Sequence, residues 1–205
     1  MNKSLSRRHL LTLAAATLTV VGCDRLPGGG NAKPAFSAID ITGAQYASKL
    51  ELTDADGRLR TLADFKGKAV IVFFGFTQCP DVCPTTLAEI AEVKKLLGAD
   101  GAKVQPLFIT LDPERDTAAV LKAYVGNFGA DFVALRGSLE QTQATAKEFK
   151  IFFAKVAGKT DGSYTMDHTA GSFVFDPQGR VRLFVRQGGG AAALANDTKL
   201  LLAGA

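Results

Sequence analysis

Runs of apolar residues divide the chain between residues 50 and 203 into short strands and amphipathic helices. The segment 69–76 is an unbroken run of branched and aromatic residues, which is typical of a central strand covered on both faces. The segment 84–97 instead repeats its apolar positions at helical spacing up to Gly98, and Pro84 suits the first turn of a helix. The pattern therefore predicts a buried strand that leads directly into a helix.

The remaining segments continue this alternation of strands and helices. We expect further strands at 104–112 and 131–135, helices at 117–128, 138–149 and 191–203, and β-hairpins within 50–62 and 172–185. Alternating strands and helices indicate an α/β domain with a partly parallel sheet. The order of elements over 36–205 describes a thioredoxin-like three-layer fold. It has a central mixed β-sheet, an N-terminal β-hairpin and a terminal β-hairpin near the junction of the first long strand with its helix.

The first 22 residues have the layout of an export signal. A basic start precedes an apolar run from Leu10 to Val21, which is shorter than the roughly 20 residues that cross a bilayer. The small residue before Cys23 resembles the lipobox of bacterial lipoproteins, and "SRRHLL" resembles a twin-arginine signal. Gly and Pro are frequent in 24–35, so this segment is predicted to be a flexible tether. We expect a lipid-anchored domain on the periplasmic face of the bacterial cytoplasmic membrane.

The charge of the chain argues against nucleic acid as a partner. The formal net charge of the 205 residues is +4, but Lys3, Arg7 and Arg8 lie in the predicted signal, which holds no acidic residue. The remainder therefore carries a formal charge of only +1. An apolar content of 47% is ordinary for a globular domain that is large enough to bury a core.

Two cysteines lie where the first long strand meets its helix. Cys79 and Cys83 are separated by three residues, and a proline follows each of them. The start of a helix favours a thiolate over a thiol, so we expect both cysteines to have a low pKa. Their spacing permits a Cys79–Cys83 disulfide, and two soft thiolates across a turn also suit a soft metal ion. The third interpretation is a structural pair beneath a loop.

A metal site would need another ligand, and His168 is the only histidine outside the predicted signal. Its neighbours Asp167 and Thr169 could orient the imidazole through hydrogen bonds. Thioredoxins have a proline beside their dithiol, whereas no proline occurs here between Pro113 and Pro177. From the residues alone, His168 is either a metal ligand or an ordinary histidine with its hydrogen bonds satisfied.

Three blocks of this sequence together resemble the Sco/SenC family of thioredoxin-like, copper-binding proteins that help to assemble cytochrome c oxidase. They are "GFTQCPDVCPTTL", "LDPERDT" and "YTMDHTAGSFVFDPQG". The resemblance implies that Cys79, Cys83 and His168 coordinate Cu(I) or Cu(II). It also implies that the protein delivers copper to subunit II of the oxidase. Asp81 and Asp167 would be outer-sphere helpers of the metal, or else ordinary turn and surface residues.

Other functions stay open at this stage. The two cysteines could form the redox pair of a thiol–disulfide oxidoreductase that reduces the copper-ligand cysteines of subunit II, or the site could sense copper or oxidant. Further partners would be periplasmic copper carriers or thiol reductases. In "LDPERDT", Pro113 predicts a turn, and Asp116 or Thr117 is expected to cap the following helix.

Overall fold

A computed structural model describes residues 35–205 of the chain. Its strands are β1 (Ile39–Asp40), β2 (Glu51–Asp54), β3 (Leu59–Thr61), β4 (Ala69–Gly75), β5 (Val104–Thr110), β6 (Val133–Arg136), β7 (Phe153–Ala157), β8 (Tyr164–His168), β9 (Gly171–Phe175) and β10 (Val181–Arg186). Its α-helices are α1 (Val82–Leu96), α2 (Ala118–Gly126), α3 (Leu139–Glu148) and α4 (Ala191–Leu202). The predicted signal 1–22, Cys23 and tether residues 24–34 lie outside the described residues. No helix within 35–205 is long and apolar enough to cross a membrane.

Eight of the strands form one mixed sheet, in the order β1-β10-β9-β4-β5-β6-β2-β3. The three central strands β4, β5 and β6 are parallel to one another, and the flanking strands pair antiparallel. The predicted strand 69–76 is confirmed as β4, in which all seven residues are buried. The mixed sheet and its hairpins confirm the thioredoxin-like fold class.

Helices cover both faces of this sheet, which gives the three predicted layers. Phe73 points into a core that it shares with residues of α1, α2 and α4. Its neighbour Phe74 points to the opposite face and packs with residues of α3. This alternation follows from the two-residue period of a strand. Burying each such side chain stabilises the fold by about 1.5–3 kcal/mol.

The sequence pattern did not predict the hairpin formed by β7 and β8. These strands pair antiparallel as a separate two-stranded sheet, with Phe153 opposite His168 and Ala157 opposite Tyr164. Most of their residues are exposed or half-buried, so the sequence lacks the apolar alternation that marks a strand against a core. This hairpin, called the His168 hairpin below, places the imidazole at the end of β8.

Candidate metal and thiol site

The loop from β4 to α1 brings the two cysteines to the carboxyl edge of the sheet. The helix begins at Val82, so Cys83 lies in its first turn and Cys79 lies in the preceding loop. The Cys79 amide donates a hydrogen bond to Phe76 O at 3.2 Å, and the Cys83 amide donates to Cys79 Sγ at 3.4 Å. Cys79 is half-buried, Cys83 is fully buried, and both are free thiols here. Their disulfide stays a prediction.

The expected low pKa is wrong for Cys83. Burial raises the pKa of this thiol far above its ordinary value, and the Cys79 thiol and the Asp116 carboxylate raise it further. The hydrogen bond with the Phe76 backbone lowers it by less. Loss of water around the sulfur therefore outweighs the helix terminus beneath it. A metal ion that binds Cys83 as a thiolate must displace its proton.

His168 reaches the buried thiol from the opposite side of the site. Its Nε2 lies 3.8 Å from Cys83 Sγ, and its Nδ1 lies 3.1 Å from the carbonyl oxygen of Thr169. Because a carbonyl only accepts hydrogen bonds, Nδ1 carries the hydrogen of the neutral ring and Nε2 keeps its lone pair. The contact with Thr169 therefore leaves the nitrogen nearest Cys83 free to bind a metal ion.

Burial also controls the charge of the imidazole. It lowers the pKa of His168, and the Thr169 carbonyl and the Asp167 carboxylate offset that effect only in part. The rings of Phe73 and Phe76 pack edge-to-face with the imidazole ring, at centroid distances of 6.3 and 6.0 Å. This apolar wall explains the desolvation. The imidazole is therefore neutral at neutral pH, the form in which histidine binds metals.

A glycine beneath Cys83 makes room for its sulfur. A Cβ atom on Gly75 would lie 2.7 Å from Cys83 Sγ, 2.9 Å from Phe108 and 3.0 Å from Phe73. These separations are shorter than carbon–carbon or carbon–sulfur contacts tolerate in a packed core. The sequence offered no signal for this role, because the requirement arises only once β4, β5 and α1 pack together.

The two acidic candidates lie at the margin of the site. Asp81 is exposed at the start of α1, where its Oδ1 accepts a hydrogen bond from the Thr85 hydroxyl at 3.3 Å. Its outer-sphere role stays a prediction. Asp167 is exposed on β8, opposite Ala154, and acts on the site by raising the pKa of His168.

Asp116 anchors the cysteine loop. Its Oδ2 accepts hydrogen bonds from the Thr77 amide at 3.1 Å and from the Thr110 hydroxyl at 2.6 Å, and its Oδ1 accepts from the Thr77 hydroxyl at 2.5 Å. The helix cap is instead Thr117, whose hydroxyl oxygen accepts from the Val120 amide at 3.3 Å. Of the two expected caps, the structure thus selects Thr117 and gives Asp116 a buried anchoring role.

The predicted ligands are neighbours, but they are only partly assembled. Within residues 35–205, no group of three or more His, Cys, Asp and Glu side chains is already arranged to hold a metal ion. Cys83 and His168 are in contact, whereas the Cys79 sulfur contacts the Cys83 amide. The donor types, two thiols and one neutral imidazole, are those that suit a soft metal ion.

Comparisons with known proteins identify the family of this chain. The family model described as SCO1/SenC matches residues 40–203. A "SCO2-like protein" of Rickettsia felis is 34% identical over 151 residues, which cover 72% of this chain and 74% of that protein. Copper-bound ScoI of Bradyrhizobium japonicum is 39% identical, with a TM-score of 0.68 over 75% of this chain and 97% of that one. Apo Sco1 of Thermus thermophilus is 32% identical, with a TM-score of 0.73 over 83% of this chain and 99% of that one. The chain therefore belongs to the SCO1/SenC family.

Proposed function

We propose that this protein binds copper through Cys79, Cys83 and His168 and delivers it to subunit II during assembly of the binuclear copper centre of cytochrome c oxidase. The observation that carries the proposal is the 3.8 Å contact between Cys83 Sγ and the unprotonated Nε2 of His168. The copper-bound structure of ScoI from Bradyrhizobium japonicum supports the choice of metal. The family resemblance supports the role in oxidase assembly.

The donor set matches both oxidation states of copper. Cu(I) is soft and accepts two thiolates and one imidazole, while Cu(II) can use the same ligands with an added oxygen. Zinc could occupy two thiolates, an imidazole and a water, but equal ligands hold Cu(II) more tightly than zinc. Both cysteines would bind as thiolates, so copper binding releases their protons. The Cys83 amide, which donates to Cys79 Sγ, could keep that hydrogen bond to the bound thiolate.

A titration with copper tests the three-ligand site. Reduced protein should bind one copper per domain, and His168→Ala should bind it far more weakly because one of three donors is lost. Thr165→Ala is the matched control, since Thr165 is exposed on the same strand as His168. It should behave as the parent protein does. Unchanged tight binding by His168→Ala would refute the proposal.

The second candidate function is reduction of a disulfide in subunit II. The half-buried Cys79 and the buried Cys83 suit this chemistry, because the more accessible thiol can attack first. The Cys79 thiolate would attack the target disulfide to form a mixed disulfide and release one target thiolate. Cys83 would then attack Cys79, releasing the second target thiolate and leaving a Cys79–Cys83 disulfide.

The two functions differ in their need for His168. Copper delivery requires the imidazole, whereas disulfide reduction requires only the two thiols. His168→Ala should therefore stop the transfer of copper to a soluble copper-site domain of subunit II while it leaves the reduction of that domain's disulfide unchanged. Normal loading of subunit II with copper in the presence of His168→Ala would favour the oxidoreductase, because reduction of the disulfide would then suffice.

The location at the membrane is also a proposal. The signal-like segment 1–22 supports export, and the lipobox-like residues before Cys23 support lipid attachment at the periplasmic face. Cys23→Ser should move the protein from the membrane fraction to the soluble periplasmic fraction. A variant that stays in the membrane fraction would contradict lipid attachment.

A further inference from the structure

One arginine contacts both the Cys79 loop and the His168 hairpin. Arg115 Nε donates to Asp112 Oδ2, while its Nη1 donates to Gln78 Oε1 at 3.0 Å and to the carbonyl oxygen of Tyr164 at 2.9 Å. The guanidinium carbon also lies 3.6 Å from the centroid of the Tyr164 ring. Tyr164 completes the set by donating from its hydroxyl to Asp112 Oδ1 at 2.8 Å. These four residues are called the Arg115 latch below.

The latch joins parts of the chain that the main sheet does not join. Gln78 directly precedes Cys79, and Tyr164 begins β8, the strand that ends at His168. The His168 hairpin is a separate two-stranded sheet, so within residues 35–205 no backbone ladder ties it to the main sheet. Its position therefore depends on the short connection from His168 to β9 and on side-chain contacts such as those of Arg115.

The buried carboxylate of Asp112 stabilises the hydrogen bonds of the latch. Asp112 is 1% exposed, so its charge is cut off from water and is satisfied by the Arg115 and Tyr164 hydrogen bonds. Burial, with the Asp112 carboxylate beside it, raises the pKa of Tyr164 to about 12. The Tyr164 hydroxyl thus stays protonated and remains a donor. Arg115 stays charged at any physiological pH.

We propose that Arg115 is a positioning residue that holds the His168 hairpin against the Cys79 loop and so sets the spacing of the copper ligands. This inference rests on the proposed function for its consequence in copper binding. The contact between the His168 hairpin and the Cys79 loop exists in the metal-free protein and can be measured there. It also gives the "LDPERDT" block a role beyond its predicted turn and helix cap.

The variant Arg115→Lys tests the latch, because lysine keeps the charge but lacks the planar fork that reaches three acceptors. The matched control is Arg60→Lys. Arg60 pairs through Nε with the buried Asp54 at 2.7 Å, and the side chains of that pair are 25% and 6% exposed, against 21% and 1% for Arg115 and Asp112. A second variant, Tyr164→Phe, removes only the hydrogen bond from the hydroxyl to Asp112. It tests the latch if Arg115→Lys folds poorly.

Hydrogen exchange of the reduced, metal-free protein measures the coupling directly. Amides of the His168 hairpin should exchange about tenfold faster or more in Arg115→Lys, since two hydrogen bonds of a charged group to the loop and hairpin are lost. Tyr164→Phe should show a smaller change in the same direction, and Arg60→Lys should leave these amides unchanged. Parent-like exchange of the hairpin in both Arg115→Lys and Tyr164→Phe would overturn the proposal.

A double-mutant cycle shows whether Arg115 acts through His168. With His168 present, Arg115→Lys should weaken Cu(I) binding about tenfold, whereas in the His168→Ala background it should cause no further loss. An equal loss in both backgrounds would mean that Arg115 acts independently of the imidazole and would overturn the positioning role. If the parent protein fails to bind copper, the proposed function fails, and hydrogen exchange still decides the latch.

Discussion

Gly75 gives the most direct structural test of the packing around Cys83. It ends β4 beneath the thiol, and the Cβ atom of Gly75→Ala would meet Cys83 Sγ at 2.7 Å, Phe108 at 2.9 Å and Phe73 at 3.0 Å. All three neighbours are fully buried, so none can turn into solvent. The alanine must therefore displace the sulfur or the two rings.

The cost of this substitution follows from overpacking. Inserting a methyl group into a filled core costs about 1–3 kcal/mol. For a domain of this size each kcal/mol lowers the melting temperature by about 2–4 °C, so the expected decrease is about 2–12 °C. Because one displaced atom is a proposed ligand, Cu(I) affinity should fall about tenfold or more, as metal affinity does when residues that orient a ligand are changed.

The matched control for Gly75→Ala is Gly126→Ala. Gly126 ends α2, and a Cβ atom there meets nothing within 4 Å. Its stability should stay the same or rise by up to about 1 kcal/mol, because alanine favours a helix over glycine. Thermal unfolding of the reduced, metal-free proteins and competition for Cu(I) with a chelator measure both effects. A Gly75→Ala variant that melts and binds copper as the parent protein does would contradict the tight packing beneath Cys83.

Three further predictions concern titration and loop anchoring. Copper binding displaces one proton from Cys83, so Cu(I) affinity should rise about tenfold per pH unit near neutrality. An affinity that does not change with pH would contradict this prediction. The metal-free protein should lose stability as the pH falls below about 6.5, because the pKa of His168 is lowered by burial and the unfolded state then binds the extra proton. Urea unfolding of His168→Gln should show a smaller pH slope. Asp116→Ala should lower the unfolding free energy by at least about 1.5–3 kcal/mol in chemical denaturation. Asp100→Ala, in an exposed ion pair, should leave it nearly unchanged.

The central layers of the fold were predictable because they rest on local patterns. The apolar run at 69–76 and the helical spacing after Cys83 both carry their own signal, and both elements form where expected. The His168 hairpin carries no such signal, since its strands lie half-exposed outside the main sheet. Its existence depends on contacts made by distant residues.

The same division holds for the candidate site. Residue types, chain order and the family resemblance indicated Cys79, Cys83 and His168 as one set of ligands. They did not indicate that Cys83 and His168 would already touch without a metal ion. The direction of the pKa shift of Cys83 was wrong because burial is a tertiary property, while the helix start is a local one. The positioning role proposed for Arg115 could not be predicted from the sequence, because its hydrogen-bond acceptors come from three separate segments.

X-ray absorption at the copper edge tests the central claim most directly, because it reports the atoms bound to the metal. Reduced protein loaded with one equivalent of Cu(I) should show two sulfur ligands from Cys79 and Cys83 and one imidazole nitrogen from His168. The nitrogen signal should disappear in His168→Ala. A copper ion bound by sulfur alone in the parent protein, or an imidazole signal that persists in the variant, would contradict the three-ligand site.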